Sequence, residues 1–429
     1  MDIAHSEQYR TIGAVQSLHY HEDQPAAPAA WIHTYPACGR ATGPTAKCSE
    51  KPSTTCEARR RGRNVGSRLG SAPPSAPEAR ISGSRSRYDE KGDSVSGFGM
   101  DAVDALYRGA QMDDRWAVRS ERGYTWWPGD FAQHVHLGPV RSTPSGNECT
   151  LKVWADLVTD VDPATNPAKV LGLVNMREVA VNALVWDQES ATIKMFCSLS
   201  LNEGNTGSAA RLIGLPSMLQ NSMALALSER LAFQCGGSRA VSSHPNTGSH
   251  ADPDDLRLFS TMVIDAGQEP SVFSRSEAGK LLGRSRKSWM SGLPTIAERL
   301  GCRGSGNEMA FTAEVPFASS DHPACVEVFT TQPHPVWGNG AWVVLQLPLA
   351  PGTDEAFVLA NALNAQEFDW APPGLSTLGA WSPDFLEADM DGLAFSTFVP
   401  NKLAGSGMLE NLFIYAALRA RFAADVLSS

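Results

Sequence analysis

The feature that most limits what this chain can become is an order of elements stated twice. From about Met100 to Phe233, and again from about Pro294 to Leu427, apolar alternation and helical stripes succeed one another as strand–strand–strand–helix–strand–strand–helix. The stretch ahead of each first strand also reads as helical. A unit that buries its own core and is then repeated presents a doubled surface, which points to binding before chemistry.

In the first unit, Tyr124–Trp127 is aromatic and strand-like, and Pro128-Gly129-Asp130 turns the chain. Phe131, Val135 and Leu137 then fall on one face of a strand, with His134 and His136 on the other. Leu151, Val153, Ala155 and Leu157 share a face of the next strand. Asn166-Pro167 is a helix start, with Asn as N-cap and Pro at the first helical position. A short strand at Ala183–Trp186 precedes a long one at Ala191–Leu201, in which Cys197 sits as a small buried hydrophobe. A helix kinked at Pro216 runs to about Phe233.

The second unit places strands at Phe311–Phe317, Ala324–Thr330 and Ala341–Leu349. A helix capped by Thr353 carries Ala356, Leu359, Ala360 and Leu363 on one stripe. A short strand ends at Trp381, Leu393–Val399 follows, and Ser406-Gly407 opens the last helix. Trp186 and Trp381 each end the strand after the middle helix, so they are expected at the same point of the two units. Between the units, 236–250 reads as a flexible linker, Leu256–Ile264 as a strand or extended tether, and Ser276–Gly283 and Pro294–Leu300 as short helices.

The first hundred residues stand apart. Residues 37–97 are rich in Ser, Gly, Pro, Ala and Arg with almost no aliphatic side chains, a composition that does not offset the entropy of ordering. The working protein is expected to begin near Met100, and the Arg59–Arg63 cluster is read as a basic run of this tail. Charge divides the same way. Residues 1–100 hold 13 Lys/Arg against 10 Asp/Glu, which leaves 23 against 36 in residues 101–429. An acidic folded part disfavours a nucleic-acid surface. No apolar run approaches the roughly 20 residues that span a bilayer, and the N-terminus has no signal-peptide pattern. The eight cysteines show no Cys-x-x-Cys pair or zinc spacing, so reduced thiols in a cytoplasm are expected.

An antiparallel sheet broken by one helix after its third strand and flanked by terminal helices resembles the type III secretion chaperone-like fold and the bacterial YbjN-type proteins. The Asn166-Pro167 helix start and the Met408–Leu427 helix belong to that likeness. The resemblance implies a non-enzymatic role, since secretion chaperones are small acidic dimers that wrap an extended segment of a client. Two copies in one chain would form such a pair intramolecularly.

Candidate chemistry is sparse. His134 and His136 could share a metal if a carboxylate joined them, yet two exposed sheet histidines are the simpler reading. His322 and His334 read as polar turns. Glu387-Ala-Asp389-Met-Asp391-Gly392 imitates a calcium loop, but Phe398 stands where the bidentate Glu belongs. Gly279-Lys280 lacks the earlier glycine of a phosphate loop, and no hydrolase or metalloprotease motif occurs. Tryptophans are the better lead: Trp116, Trp126, Trp127 and Trp154 cluster in one unit, and Trp337, Trp342, Trp370 and Trp381 in the other. Trp127 before Pro128-Gly129 and Trp337 before Gly338-Asn339-Gly340 are expected to be exposed and to anchor a partner.

The expected fold is therefore α+β, two tandem antiparallel-sheet domains in α-β-β-β-α-β-β-α order. They are placed at 100–234 and 275–429, joined by a linker at 235–274 and preceded by a disordered 1–99. The expected function is non-catalytic binding of another protein or extended peptide, with no nucleic acid, membrane, cofactor or metal, by a monomeric pseudo-dimer or a homodimer. It predicts an exposed apolar groove. The alternatives are a hydrolase-type enzyme with its site between the units, and a purely structural pseudo-dimer.

Overall fold

Period-two alternation builds the first sheet. The computed structural model describes residues 97–110, 112–144, 146–250, 254–273, 303–306, 310–318, 321–370, 374–386, 390–403 and 408–428. Helix α1 (Met100–Gly109) leads into β1 (Ala117–Ser120), β2 (Gly123–Trp126), β3 (Gln133–Leu137), β4 (Arg141–Thr143) and the long β5 (Gly146–Thr159). Along β5, Leu151, Val153, Ala155 and Leu157 are all buried on the core side, and β3 sends Val135 and Leu137 the same way. Asn166 caps α2 (Pro167–Arg177) as its sequence suggests: its Oδ1 accepts the Lys169 N–H at 3.4 Å, and Pro167 takes the first helical position. Strands β6 (Ala183–Asp187) and β7 (Thr192–Asn202) complete the sheet. Helix α3 (Thr206–Gln234) covers its apolar face, with Pro216 inside the helix rather than at its end.

The segment between the units is not a tether. After the two-residue β8 (Ser238–Arg239), residues Asp254–Gln268 form helix α4, where a strand or an extended connection was expected. Leu256 and Val263 are buried and Phe259 packs on the core; this i, i+3, i+7 spacing is helical, and the exposed apolar Leu258 and Ile264 beside it conceal the stripe. The helix joins both units. Ser222 on α3 donates to the Leu256 carbonyl at 2.9 Å, while Asn401 of the second unit donates to the Ala266 and Glu269 carbonyls, each at 3.0 Å.

The second unit contains β9 (Arg303–Gly306), β10 (Ala310–Val315), β11 (Ala324–Phe329), β12 (Gly340–Leu347), α5 (Thr353–Asp369), β13 (Ala380–Pro383), β14 (Leu393–Pro400) and α6 (Met408–Leu427). Thr353 is the first residue of α5 and not its cap; Gly352, at φ 97°, holds the cap position without a side-chain bond. The short helices expected at Ser276–Gly283 and Pro294–Leu300, the Arg59–Arg63 cluster, Gly279-Lys280 and most of residues 1–99 lie outside the described residues.

Both sheets are antiparallel and share one strand order: β1-β2-β3-β5-β7-β6 in the first, with β4 and β8 beside β5, and β9-β10-β11-β12-β14-β13 in the second. The α+β class and the two antiparallel sheets agree with the sequence. Each sheet adds one edge strand, β1 or β9, ahead of the three that were legible. Ala117–Ser120 has no buried residue and Arg303–Gly306 has no apolar side chain, so neither announces itself.

The equivalence of the units is written in two asparagines. Asn175 on α2 pairs with both backbone groups of Leu184 (2.9 and 2.8 Å), and Asn364 on α5 does the same to Trp381 (3.0 and 2.9 Å). Leu184, not Trp186, is thus the counterpart of Trp381. Trp186 lies two residues farther on, where its backbone is gripped instead by Asn361 from the other unit's helix, at 2.9 and 3.1 Å.

The units pack reciprocally. Helix α5 lies on β6, and α2 lies on β13, with Gly172 of α2 against Phe357 and Pro383; a Cβ at Gly172 would come within 2.5 Å of the Phe357 ring. Main-chain bonds also cross. Ser198 of β7 exchanges two 2.9 Å bonds with Thr377, so a segment of the second unit extends the first sheet past the end of β6. One apolar cluster contains residues of both units, and among the described residues no helix is long and apolar enough to cross a membrane.

Candidate functional site

A sheet has two faces, and α3 covers only one face of the first. The other carries His134 and His136 from β3, Lys152 and Trp154 from β5, and Phe196, Ser198 and Ser200 from β7. The second unit covers the part nearest β6, with Phe368 edge-on to Phe196 at 5.1 Å and the Gly374 N–H on Ser200 Oγ at 3.0 Å. What is left open is a cleft of about 260 Å³. His136, Thr150, Lys152, Trp154 and Ser200 form its floor, Gly138, Pro139 and Arg141 one wall, and Asp369 and Trp370 the other, with Glu148 on the rim.

Burial and local charge set the protonation of these groups. Lys152 donates to the Phe368 carbonyl at the C-terminal end of α5 and lies 4.2 Å from the Phe368 ring centroid, a place where the helix dipole favours a cation. Its pKa is lowered by burial, with Asp369 opposing the shift. Burial raises the Asp369 pKa, and it lowers that of His136, which the neighbouring charges of Arg122 and Lys152 depress further. Cys149 is pushed up to about 11 by burial, so it is a thiol and not a thiolate at neutral pH. Among the described residues, no hydrogen bond or ion pair engages the side chains of His136, Arg141, Glu148, Thr150 or Asp369.

The remaining sequence candidates fall elsewhere. His134 stacks on Trp154 with centroids 4.9 Å apart and bonds Thr125 Oγ1 at 3.0 Å, and burial lowers its pKa. It shares a strand face with His136, but among the described residues no three His, Cys, Asp or Glu side chains converge to hold a metal. Of the calcium-like stretch, Glu387–Asp389 lies outside the described residues. Cys197 is fully buried, in agreement with the sequence reading.

Trp127 and Trp337 are not exposed anchors; they are 8% and 3% exposed. Trp127 donates its indole N–H to Ser242 at 3.0 Å, and Trp337 donates to the Glu178 carbonyl at 2.9 Å. A motif not recognised in the sequence accounts for both. His244-Pro-Asn-Thr-Gly248 and His334-Pro-Val-Trp-Gly338 close the same small loop, in which the His and Gly exchange both backbone bonds. The His Nδ1 accepts the two N–H groups that follow, at 3.3 and 3.1 Å in one loop and 3.1 and 3.3 Å in the other. Trp127 packs edge-on against His244 with centroids 5.0 Å apart, and Trp337 belongs to the second loop itself. His334 is thus no polar turn: it is buried on Trp342 and Phe398, with centroids 5.2 and 4.7 Å away. Burial pushes its pKa down to about 3, and the Val179 carbonyl offsets a little of that. Among the described residues, the exposed tryptophan is Trp370, at 46%.

Behind the cleft wall lies a charged network that the sequence did not disclose. Arg419 on α6 forms a bidentate pair with Glu367 on α5 at 2.7 and 2.9 Å, and both are almost wholly buried. Trp381 and Thr377 donate to the same carboxylate at 2.7 and 2.6 Å, and Arg419 also donates to the Ser376 carbonyl at 2.8 Å. The network anchors the segment that bonds to Ser198 and Ser200. Geometrically, the cleft can hold a small polar and aromatic group. Among the described residues, its lining contains no nucleophile hydrogen-bonded to a base. No family model matches the chain, and no curated protein matches its sequence.

Proposed function

We propose that this protein binds another protein without catalysis, as a chaperone-like pair of units within one chain. The observation that carries the reading is the repeated strand order together with the reciprocal packing of α2 and β6 on α5 and β13. A chaperone-like dimer joined into one polypeptide would have this form, and the bacterial YbjN-type likeness agrees with it. The acidity of residues 101–429 and a bacterial cytoplasmic location belong to the same proposal. Among the described residues, the cleft combines rings with charges, so a client segment would meet both.

An enzyme working between the units is the second reading, because the cleft does hold titratable groups displaced from their ordinary values. Binding is favoured over it because burial is the leading cause of these shifts, and Lys152 is already engaged as the cap of α5. The test is to tag the full chain in its native cell, purify what accompanies it and titrate the purified partner. A saturable stoichiometric complex is expected. Absence of a partner, with turnover in a broad hydrolase screen that Lys152→Ala or Asp369→Asn abolishes, would replace this reading with the enzyme.

A further inference from the structure

The second unit covers with its own chain a sheet face that the first leaves partly open. With Leu184 placed on Trp381, the sheet registers carry His136, Lys152 and Ser198 onto Phe329, Trp342 and Phe398, each trio aligned across three neighbouring strands. The first row borders a cleft, so a unit of this kind folds without a loop sealing that face. The second row is aromatic, and the loop from His334 to Gly338 lies on it, with the His334 ring stacked on Trp342 and Phe398. From the same loop, Trp337 reaches the Glu178 carbonyl of the first unit at 2.9 Å. The loop is therefore a lid on one sheet and a clasp between the two units.

Its closed form depends on one unprotonated nitrogen. His334 Nδ1 accepts the N–H groups of Val336 and Trp337 at 3.1 and 3.3 Å, while the His334 main chain exchanges bonds of 2.7 and 3.0 Å with Gly338. The ring's own hydrogen is then on Nε2, which is buried without a good hydrogen bond among the described residues. A proton added at Nδ1 would aim a third N–H at the other two. Both would lose their acceptor at a residue only 2% exposed, where water does not replace it. Neighbouring charges do not offset this. Strands β12 and β14 contain no charged residue. On the other elements packed around the loop, Glu178 is paired with Arg230 at 2.6 Å, Arg177, Asp265, Glu269 and Lys402 are exposed, and Glu327 on β11 lies in the field of Asp384. None of these charges contributes to the pKa of His334, which burial lowers and the Val179 carbonyl adjusts.

The loop also has defined ends. The Asn339 N–H bonds the Gly267 carbonyl of α4 at 2.7 Å, Gly338 sits at φ 69°, and on the other side the Gln332 carbonyl accepts the Trp342 indole N–H at 3.1 Å. Movement confined between Gln332 and Asn339 leaves β11 and β12 paired.

We propose that the loop from His334 to Gly338 is a proton-sensitive lid: a proton taken up at His334 Nδ1 opens it, frees Trp337 from the first unit and uncovers the row of Phe329, Trp342 and Phe398. At neutral pH, burial of the aromatic row holds the lid shut. Because opening takes up one proton, the open population rises about tenfold for each pH unit below 6.5, until the closed form also titrates near pH 3.

The test is hydrogen exchange of the full chain from pH 7 to pH 4, read by mass spectrometry and corrected for the intrinsic pH dependence of exchange. The Val336 and Trp337 amides are expected to exchange faster than those of β12 at every pH, and to lose about tenfold in protection per pH unit below 6.5. In His334→Asn, whose Oδ1 can accept the same two N–H groups and does not titrate, their protection is expected to stay level across the range. Loop exchange no faster than that of β12 would mean that the lid opens only when the chain unfolds, and would overturn the proposal. Protection independent of pH in the parent chain, or a tenfold slope that survives in His334→Asn, would overturn it as well. Ring NMR of the parent chain serves even where the substitution fails to fold. At pH 7 the His334 hydrogen is expected on Nε2, and a hydrogen on Nδ1 would remove the lid's chemistry.

Discussion

The two units share a strand order and differ in how each sheet's second face is closed. In the second unit, Phe329, Trp342 and Phe398 form an aromatic row, which a loop of the same unit seals with His334. In the first, His136, Lys152 and Ser198 hold the equivalent row, and the cleft above them is closed only in part by the other unit. The strand order tolerates either solution, because the apolar cores under α3 and α6 lie on the opposite faces. The difference shows that a duplicated unit can keep one copy as a packed support and leave the other with an accessible polar surface.

The strongest way to break the closed side is Arg419→Ala. It strands the Glu367 carboxylate, 0% exposed, without its cation, and loss of a buried partner of this kind costs about 3–5 kcal/mol. Urea unfolding of the full chain should show that loss; a change below about 1 kcal/mol would mean that water reaches Glu367 and that the support is looser than its geometry.

The closed side should also fail in acid. His334 has a folded pKa near 3, below its unfolded value of 6.5, so its contribution is complete above pH 6.5 and disappears as the pH falls toward 3. The loss from this residue amounts to about 3 kcal/mol by pH 4. His134 and His136, whose pKa values are also lowered, act in the same direction. Unfolding free energies measured from pH 7 to pH 4 should fall less in His334→Gln than in the parent chain. Identical slopes would show that His334 already takes up a proton in the folded state.

Gly172→Ala sharpens the comparison at the interface. The new methyl meets the Phe357 ring at 2.5 Å, and overpacking of this type outweighs the gain in helix propensity, for a net loss of about 1–2 kcal/mol. Adding Phe357→Leu should recover part of it in the same denaturation assay. A Gly172→Ala chain more stable than the parent would mean that the ring simply moves aside.

The smallest effects distinguish the two sides most directly. Trp337→Phe leaves the Glu178 carbonyl without its indole donor and should cost about 1 kcal/mol. Trp370→Ala, at a side chain 46% exposed, should cost less than about 0.5 kcal/mol. Reversed magnitudes in paired melts would make Trp370 the structural tryptophan and remove the contrast.

Much of the fold was legible because it depends on local periodicity. The alternation of β5 and β7, the Asn166-Pro167 start of α2 and the stripe of α5 each state which side must face a core. Edge strands β1 and β9 were not legible, since a strand held by backbone bonds at an edge needs no apolar side chain. Helix α4 was misread because Leu258 and Ile264, apolar yet exposed, lie off its buried stripe and blur the period. The cleft was legible only in parts: His136 on its strand face and Trp370 within a tryptophan group. Nothing in the order of residues brings Lys152 to the end of a helix that begins two hundred positions later.

The sequence by itself determined the repeat, the α+β class and the face of each major strand, because these follow from the spacing of apolar residues along a few turns or pleats. Only the tertiary structure decided which tryptophans are exposed, that Leu184 and not Trp186 answers Trp381, and that one sheet face is sealed while its twin is open. Exposure is a property of two surfaces brought together. Trp337 is buried because the first unit supplies the carbonyl it caps, and Trp370 is exposed because, among the described residues, no loop comes down upon it.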